Sequence, residues 1–258
     1  MKKLFILQSI TSAAAYLAGR RLRVPFLWIV LLAWIPIFLA GYIFLWWFRN
    51  VFFYRDPSRA IPPGDDVVVS PADGRVMYVR SVKAGEIVSE KTGQKIRVSE
   101  LAKTTLGISD GWLVGIYMTP FDVHFNRAPI GGKITTVYHH RTGVNLPMVD
   151  LWEYVRFTVL RKAVDMFAAP FHLENERLTL QIQNERATCF LILIADRFVN
   201  KISPLYSEQQ TVSKGEKITF IERGSQTDLF LPSGGITLRV RPGDQVYAGE
   251  TVLGTVQE

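Results

Sequence analysis

Hydrophobic and polar positions divide the chain into two unlike parts. Between Phe26 and Phe48 no charged side chain interrupts 23 residues, which as a helix extend roughly 34 Å, the reach of a bilayer core with some tilt. From residue 67 onward, short apolar or alternating runs are punctuated by Gly, Pro and Asp turns. Val67 to Ser70, Gly74 to Val79, Trp112 to Tyr117, Gly132 to Tyr138, Leu178 to Gln183, Thr188 to Ala195, Ile218 to Ile221, Thr227 to Leu231, Ile236 to Val240 and Thr251 to Val256 predict strands. Leu151, Val155, Val159 and Val164 fall at helical spacing and predict one amphipathic helix within Met148 to Ala169. The pattern predicts a β-dominated α+β chain, with a barrel-sandwich-like soluble domain over 51–258 behind a membrane-associated segment over 1–50.

Composition sharpens the first part. Trp28, Trp34, Trp46 and Trp47, four of the six tryptophans, lie in the apolar run, and all but Trp34 sit near its ends, where interfacial belts form. Arg20, Arg21 and Arg23 precede the run and Arg49 and Arg55 follow it. For a single crossing this bias predicts a cytoplasmic N-terminus and an outer domain. A re-entrant segment broken at Pro36 keeps both ends cytoplasmic. Residues 1–19 read as an interfacial helix rather than a cleaved leader, because Gln8, Ser9, Thr11 and Ser12 interrupt their apolar stretch.

The formal charge of +7 suits anionic headgroups, and no nucleic-acid motif accompanies it. Cys189 is the only cysteine, which excludes an intrachain disulfide and a multi-cysteine metal site. The four histidines show no metal-ligand spacing, so no metal is expected. His139 and His140 read as a solvated strand end, and His172 as structural. The closing segment Val240 to Val252 has the turn-and-strand phrasing of lipoyl and biotinyl domains, but no lysine follows Lys217 to serve as a carrier.

Three polar groups stand apart from this background. Ser70-Pro71-Ala72-Asp73-Gly74 places an acid at a turn before a strand. Phe121-Asp122-Val123-His124-Phe125-Asn126-Arg127 sets a histidine, the usual proton carrier near neutral pH, among polar neighbours. Glu222-Arg223-Gly224-Ser225 lies between two predicted strands, and a glycine there can expose its carbonyl in a strained turn.

Taken in order with Phe52 to Pro57, Gly132, Glu174 to Arg177, Gly215-Glu216 and Asp228 to Pro232, these groups resemble the phosphatidylserine decarboxylase family, its short bacterial and archaeal branch in particular. Gln226 stands where the family usually has arginine. The resemblance implies an inactive chain that cleaves itself between Gly224 and Ser225 and converts Ser225 into a covalent pyruvoyl group. It assigns His124 as the base and Asp73 as its orienting partner. It further implies decarboxylation of phosphatidylserine to phosphatidylethanolamine, with the headgroup amine captured by the pyruvoyl carbonyl, at the cytoplasmic face of the cell membrane. The two fragments are expected to stay associated, and a homo-oligomer is left open. Two other readings are kept: a pyruvoyl decarboxylase of another amino-bearing lipid or substrate, and a noncatalytic membrane-anchored adaptor in which Gly224-Ser225 is only a turn.

Overall fold

A computed structural model of the chain describes residues 9, 10, 12–14, 17, 25–88, 95–106, 110–142, 145–148, 171–196, 202–222, 225–232 and 235–257. Two compact units divide it, Met1–Arg55 and Asp56–Glu258. In the first, helix α1 (Phe26–Trp47) runs through Pro36 without ending and widens into a π-helical turn over Phe48–Phe52. The apolar stretch Trp34–Phe52 is long enough to cross a membrane, and none of it is buried. Consecutive residues from Tyr42 to Trp47 are all exposed, so every side of the helix presents apolar surface. The core helix of a soluble protein hides one stripe at least.

The second unit is strand-rich. Its strands, among the described residues, are β1 (Val67–Val69), β2 (Gly74–Val82), β3 (Glu86–Val88), β4 (Lys95–Arg97), β5 (Gly111–Met118), β6 (Phe125–Arg127), β7 (Gly132–His140), β8 (Arg177–Gln183), β9 (Thr188–Ala195), β10 (Ile202–Pro204), β11 (Thr211–Val212), β12 (Lys217–Ile221), β13 (Ser225–Leu231), β14 (Ile236–Leu238), β15 (Gln245–Val246) and β16 (Val252–Val256). Two short helices accompany them, α2 (Val98–Ala102) and α3 (Phe171–Glu174). All ten strands expected from the sequence are present, with ends displaced by a few residues. The short strands, β6 among them, carried too few residues for a periodicity to show. The helix expected over Met148 to Ala169 lies outside the described residues except for Met148.

Eight antiparallel strands in the order β11-β7-β8-β9-β13-β5-β2-β15 form a sheet curled into a half-barrel. Register slips at Val76/Tyr78 and Ile134/Thr136 add local twist that helps the curl. Both faces of the central strands are covered. Val114, Ile116, Met118, Leu191, Leu193, Leu229 and Leu231 pack on one face with Val68, Ile218, Ile221 and Leu253 from the smaller sheets β10-β12-β6 and β1-β16-β14, and with Ala128 just after β6. Leu113, Tyr117, Phe190, Ile192 and Phe230 alternate onto the other face, beneath Ile87, Ile96, Val98 and Leu101 of the β3-β4 hairpin and α2. Two-sided burial explains why these strands read as continuous apolar runs rather than clean alternation. Cys189, wholly buried in β9, belongs to the first face, and burial pushes its thiol pKa up, leaving it inert.

Glycine is required where the Tyr78 ring crosses β5. A Cβ on Gly115 would come within 2.3 Å of that ring, whose hydroxyl reaches across to Asp228 at 2.7 Å. Gly115→Ala is expected to lower stability by about 1–3 kcal/mol through overpacking. The measurement is the urea midpoint in a Ser225→Ala background, with an unchanged m-value showing that only the native packing suffered.

Candidate active site

The path into the site begins at a turn. Asp122 accepts hydrogen bonds from the amide and hydroxyl of Thr119, both at 2.7 Å, and so folds the chain back from β5 toward β6. Asp122 is thereby committed to the turn. His124 follows and is fully buried. Its carbonyl accepts from the amide of Ile221 at 3.1 Å, and Phe125 pairs with Phe220. The histidine is thus anchored to β12, the strand that leads into the Gly224-Ser225 bond.

Asp73 is buried at the entry to β2. Gly74 follows at φ +150°, where a Cβ would lie 2.2 Å from the carbonyl oxygen of Tyr117, so only glycine lets β2 approach β5 there. The turn is pinned by Ser70, whose amide donates to Thr251 and whose hydroxyl donates to Ala72, and by Pro71, whose carbonyl accepts from Arg127. The Asp73 carboxylate itself accepts from Arg59, with Nη2 at 2.9 Å from both oxygens, and from the amide of Ala248 at 2.8 Å. Arg59 also lies 3.5 Å from Glu250. A paired and hydrogen-bonded buried carboxylate meets the condition for burying a charge.

Ser225 opens β13, its backbone in register with Met118 of β5 and Ala195 of β9. Gly224 lies outside the described residues. One position on, Gln226 pairs with Tyr117, which pairs with Arg75. The start of β2 and the start of β13 are therefore two strand spacings apart, roughly 10 Å, at the same end of the sheet. Asn126, also fully buried, accepts from the Thr227 hydroxyl at 3.0 Å. The Asp73, His124 and Ser225 segments, remote in sequence, are gathered at this one end. Asn175 holds the neighbouring edge, donating to the carbonyls of Ala195 and Leu146 and accepting from the Leu146 amide. That accounts physically for the Asn175-Glu176-Arg177 phrase.

The opposite face of β13 carries a buried polar network. Gln226 donates to the Tyr78 hydroxyl at 2.6 Å and to Asp228 at 2.7 Å, and Tyr78 donates to the other Asp228 oxygen. Arg177 supplies the balancing charge while donating to the carbonyls of Asn175 and Leu101. Burial raises the Asp228 pKa to about 6 against these favourable partners. Burial lowers that of Arg177 to about 10, with Asp228 opposing the shift, so the arginine remains cationic at neutral pH. Gln226 is an integral member of this network.

Other candidates are accounted for. His139 is paired with Glu176 at 2.6 Å. Burial, then Lys103 and Arg177, lowers the pKa of His140. His172 falls in α3. No cluster of His, Cys, Asp or Glu suited to a metal occurs among the described residues. An open groove of about 540 Å³ lies along Asp56, Arg59, Ile61, Arg127 and Lys214. Two of its basic side chains are already engaged, Arg59 with Asp73 and Arg127 with Asp56. Sequence reasoning missed Arg59, and it named Asn126 and Thr227 without giving them roles. The only available signal was that Asn126 shares the His124 cluster and Thr227 follows the Gly224-Ser225 bond by two residues.

A buried histidine, a paired buried carboxylate and a serine-bearing strand end thus lie on segments that meet at one end of the sheet. Residues 48–254 match the family model of phosphatidylserine decarboxylase. The chain is 32% identical over 206 residues, 79% of its length and 88% of the relative's, to a protein of Methanocaldococcus jannaschii named as a putative archaetidylserine decarboxylase proenzyme. It is 32% identical over 205 residues, 79% of its length and 70% of the relative's, to a phosphatidylserine decarboxylase proenzyme of Zymomonas mobilis. The chain belongs to the phosphatidylserine decarboxylase family, whose members are carboxy-lyases.

The raised Asp228 pKa has a definite sign. A carboxyl whose pKa is raised in the fold contributes stability that is fully present below its unfolded pKa near 3.8 and is lost as pH rises through about 6. In uncut Ser225→Ala protein, the thermal midpoint is expected to carry a decrement between pH 4 and 6.5 that disappears in the additional Asp228→Asn variant. Identical pH profiles for the two proteins would exclude this assignment.

Proposed function

We propose that the chain is made as a proenzyme, cleaves itself between Gly224 and Ser225, and as the cleaved enzyme decarboxylates phosphatidylserine to phosphatidylethanolamine at a membrane. The observation that carries this reading is the convergence of the Asp73, His124 and Ser225 segments at one end of the half-barrel, within a chain of this family.

In the self-cleavage, Ser225 Oγ attacks the Gly224 carbonyl carbon, the peptide C–N bond breaks and an ester forms. Removal of the Ser225 α-proton then expels the ester oxygen, leaving a carboxylate on Gly224 and a dehydroalanine at 225. One water hydrolyses this to the pyruvoyl group and releases ammonia. His124 is the proton carrier for both removals, and its burial keeps bulk water from competing. Asp73, fixed by Arg59 and Ala248, orients the imidazole. Once formed, the pyruvoyl group supplies an electron sink for loss of CO₂ from the serine headgroup. His124 then delivers a proton to the carbon that lost the carboxylate.

The fit of residues to this group rests on what surrounds β13. A residue at its first position is held by ladders on both sides, and the polar groups near it, His124 and Asn126, are withdrawn from water. The same ladders keep the 225–258 fragment bound after cleavage. Helix α1 tethers the enzyme to the bilayer that holds its diacyl substrate, with the catalytic unit on the cytoplasmic face. The archaeal relative, named for a different serine lipid, supports a second reading in which the headgroup is the same and the lipid body differs.

Denaturing electrophoresis with intact-mass measurement should yield fragments 1–224 and 225–258, the latter blocked at its N-terminus. Ser225→Ala and His124→Ala should both remain whole. An uncut wild-type chain would refute the reading, and a cleaved His124→Ala chain would remove His124 from the base role. With cleaved enzyme in mixed micelles, CO₂ should be released from phosphatidylserine; release from archaetidylserine alone would select the second lipid.

A further inference from the structure

We propose that Asn126 is a further catalytic residue of the self-cleavage, its side-chain amide donating to the Gly224 carbonyl oxygen as that oxygen becomes negatively charged. The inference rests on the cleavage reading above.

Three observations carry it. First, β6 touches the chain on both sides of the bond to be broken. Upstream, Asn126 pairs with Thr219 of β12, and the carbonyl of His124 receives the amide of Ile221, three residues before Gly224. Downstream, the Asn126 Oδ1 receives the hydroxyl of Thr227, two residues after Ser225. Asn126 is thus the side chain that links the two strands flanking Gly224-Ser225.

Second, Asn126 is fully buried, yet among the described residues its Nδ2 has no hydrogen-bond acceptor. A buried donor left without an acceptor costs about 1–3 kcal/mol, and a native fold retains one for a reason. Third, the Thr219 hydroxyl, its cross-strand partner, is likewise buried and without a partner among the described residues. Two buried polar groups without a partner among the described residues thus occupy one cross-strand pair.

The chemistry calls for such a donor. Attack by Ser225 Oγ moves the carbonyl π-electrons of Gly224 onto its oxygen, and collapse of that tetrahedral centre returns them as the C–N bond breaks. A donor fixed in advance, its amide turned by the Thr227 hydroxyl, stabilises this charge without reorganisation. It receives no proton and is unchanged at the end. The cost of the unpaired amide in the resting chain is then offset only in the transition state.

A purely structural asparagine and a catalytic one predict opposite pairings of stability and rate. Asn126→Leu removes the unpaired donor at similar volume. Freshly synthesised full-length chain in detergent micelles is followed by denaturing electrophoresis, and the thermal midpoint is taken separately in the uncut Ser225→Ala background. The expected result is self-cleavage slowed about 10²–10³-fold, with a midpoint close to that of Ser225→Ala alone, because loss of the unpaired donor offsets loss of the acceptor for Thr227. Hydroxylamine, which cuts an accumulated ester, should not restore the rate, because the lost step precedes the ester. Asn126→Asp, which keeps the shape and replaces the donor, should be slowed as well.

Cleavage of Asn126→Leu at the wild-type rate would overturn the proposal. So would slowing accompanied by a lowered midpoint in Asn126→Leu and near-normal cleavage in Asn126→Asp, since the asparagine would then serve only packing or a structural water. A wild-type chain that never cuts defeats the cleavage reading itself, and the variants then decide nothing about its rate.

Discussion

Strand β13 is the element on which the rest of the molecule depends. Its backbone is bonded on one edge to β5 and on the other to β9, and apolar layers cover both of its faces. A strand so enclosed has no freedom to shift register, because a slip of one residue would exchange Leu229 and Leu231 with Asp228 and Phe230 across the two layers. The position of Ser225 is therefore fixed by packing far from it. A reaction that needs a nucleophile held against its own preceding carbonyl benefits from that rigidity.

The two faces of β13 have different polar characters. On one, Asn126 and Thr227 meet beside the His124 segment, and part of their hydrogen-bonding capacity is unspent. On the other, Gln226, Tyr78, Asp228 and Arg177 form a charged network in which each member has a protein partner. Burying a carboxylate and a guanidinium is expensive even when they are paired, and such groups often set specificity of structure more than stability. Here the network fixes Gln226 and Asp228 on one face of β13, while Asn126 and Thr227 bond on the other. Gly115 permits this arrangement by giving the Tyr78 ring its passage over β5.

The segment just beyond the apolar unit is built into the catalytic one. Asp56 pairs with Arg127 and Lys217, and burial, which would raise its pKa, is outweighed by these two cations, which hold it below the usual carboxylate range. Arg59 clamps Asp73, and the Ala60 amide donates to Glu250. Ile61 lies over Gly215, where a Cβ would have no room, and over Gly249, where one would be tight. The strap thus reaches the candidate aspartate directly and reaches β6 through Arg127, three residues after His124.

The sequence by itself determined the apolar helix, because 23 uncharged residues admit few other fates, and it determined the long strands, because Val, Ile and Leu runs between turn residues are local signals. It also singled out Asp73, His124 and Ser225, although their grouping came from a family resemblance rather than from spacing. The tertiary structure alone decided which groups stand next to them. Arg59 is fourteen residues from Asp73, and Asn126 is about a hundred from Thr227; no period or local propensity encodes such pairs. They meet because strand order and register bring distant segments to one end of a curled sheet. The short strand β6 was invisible for the same reason, since three residues become a strand only when a partner such as β12 supplies the hydrogen bonds that a sequence cannot display.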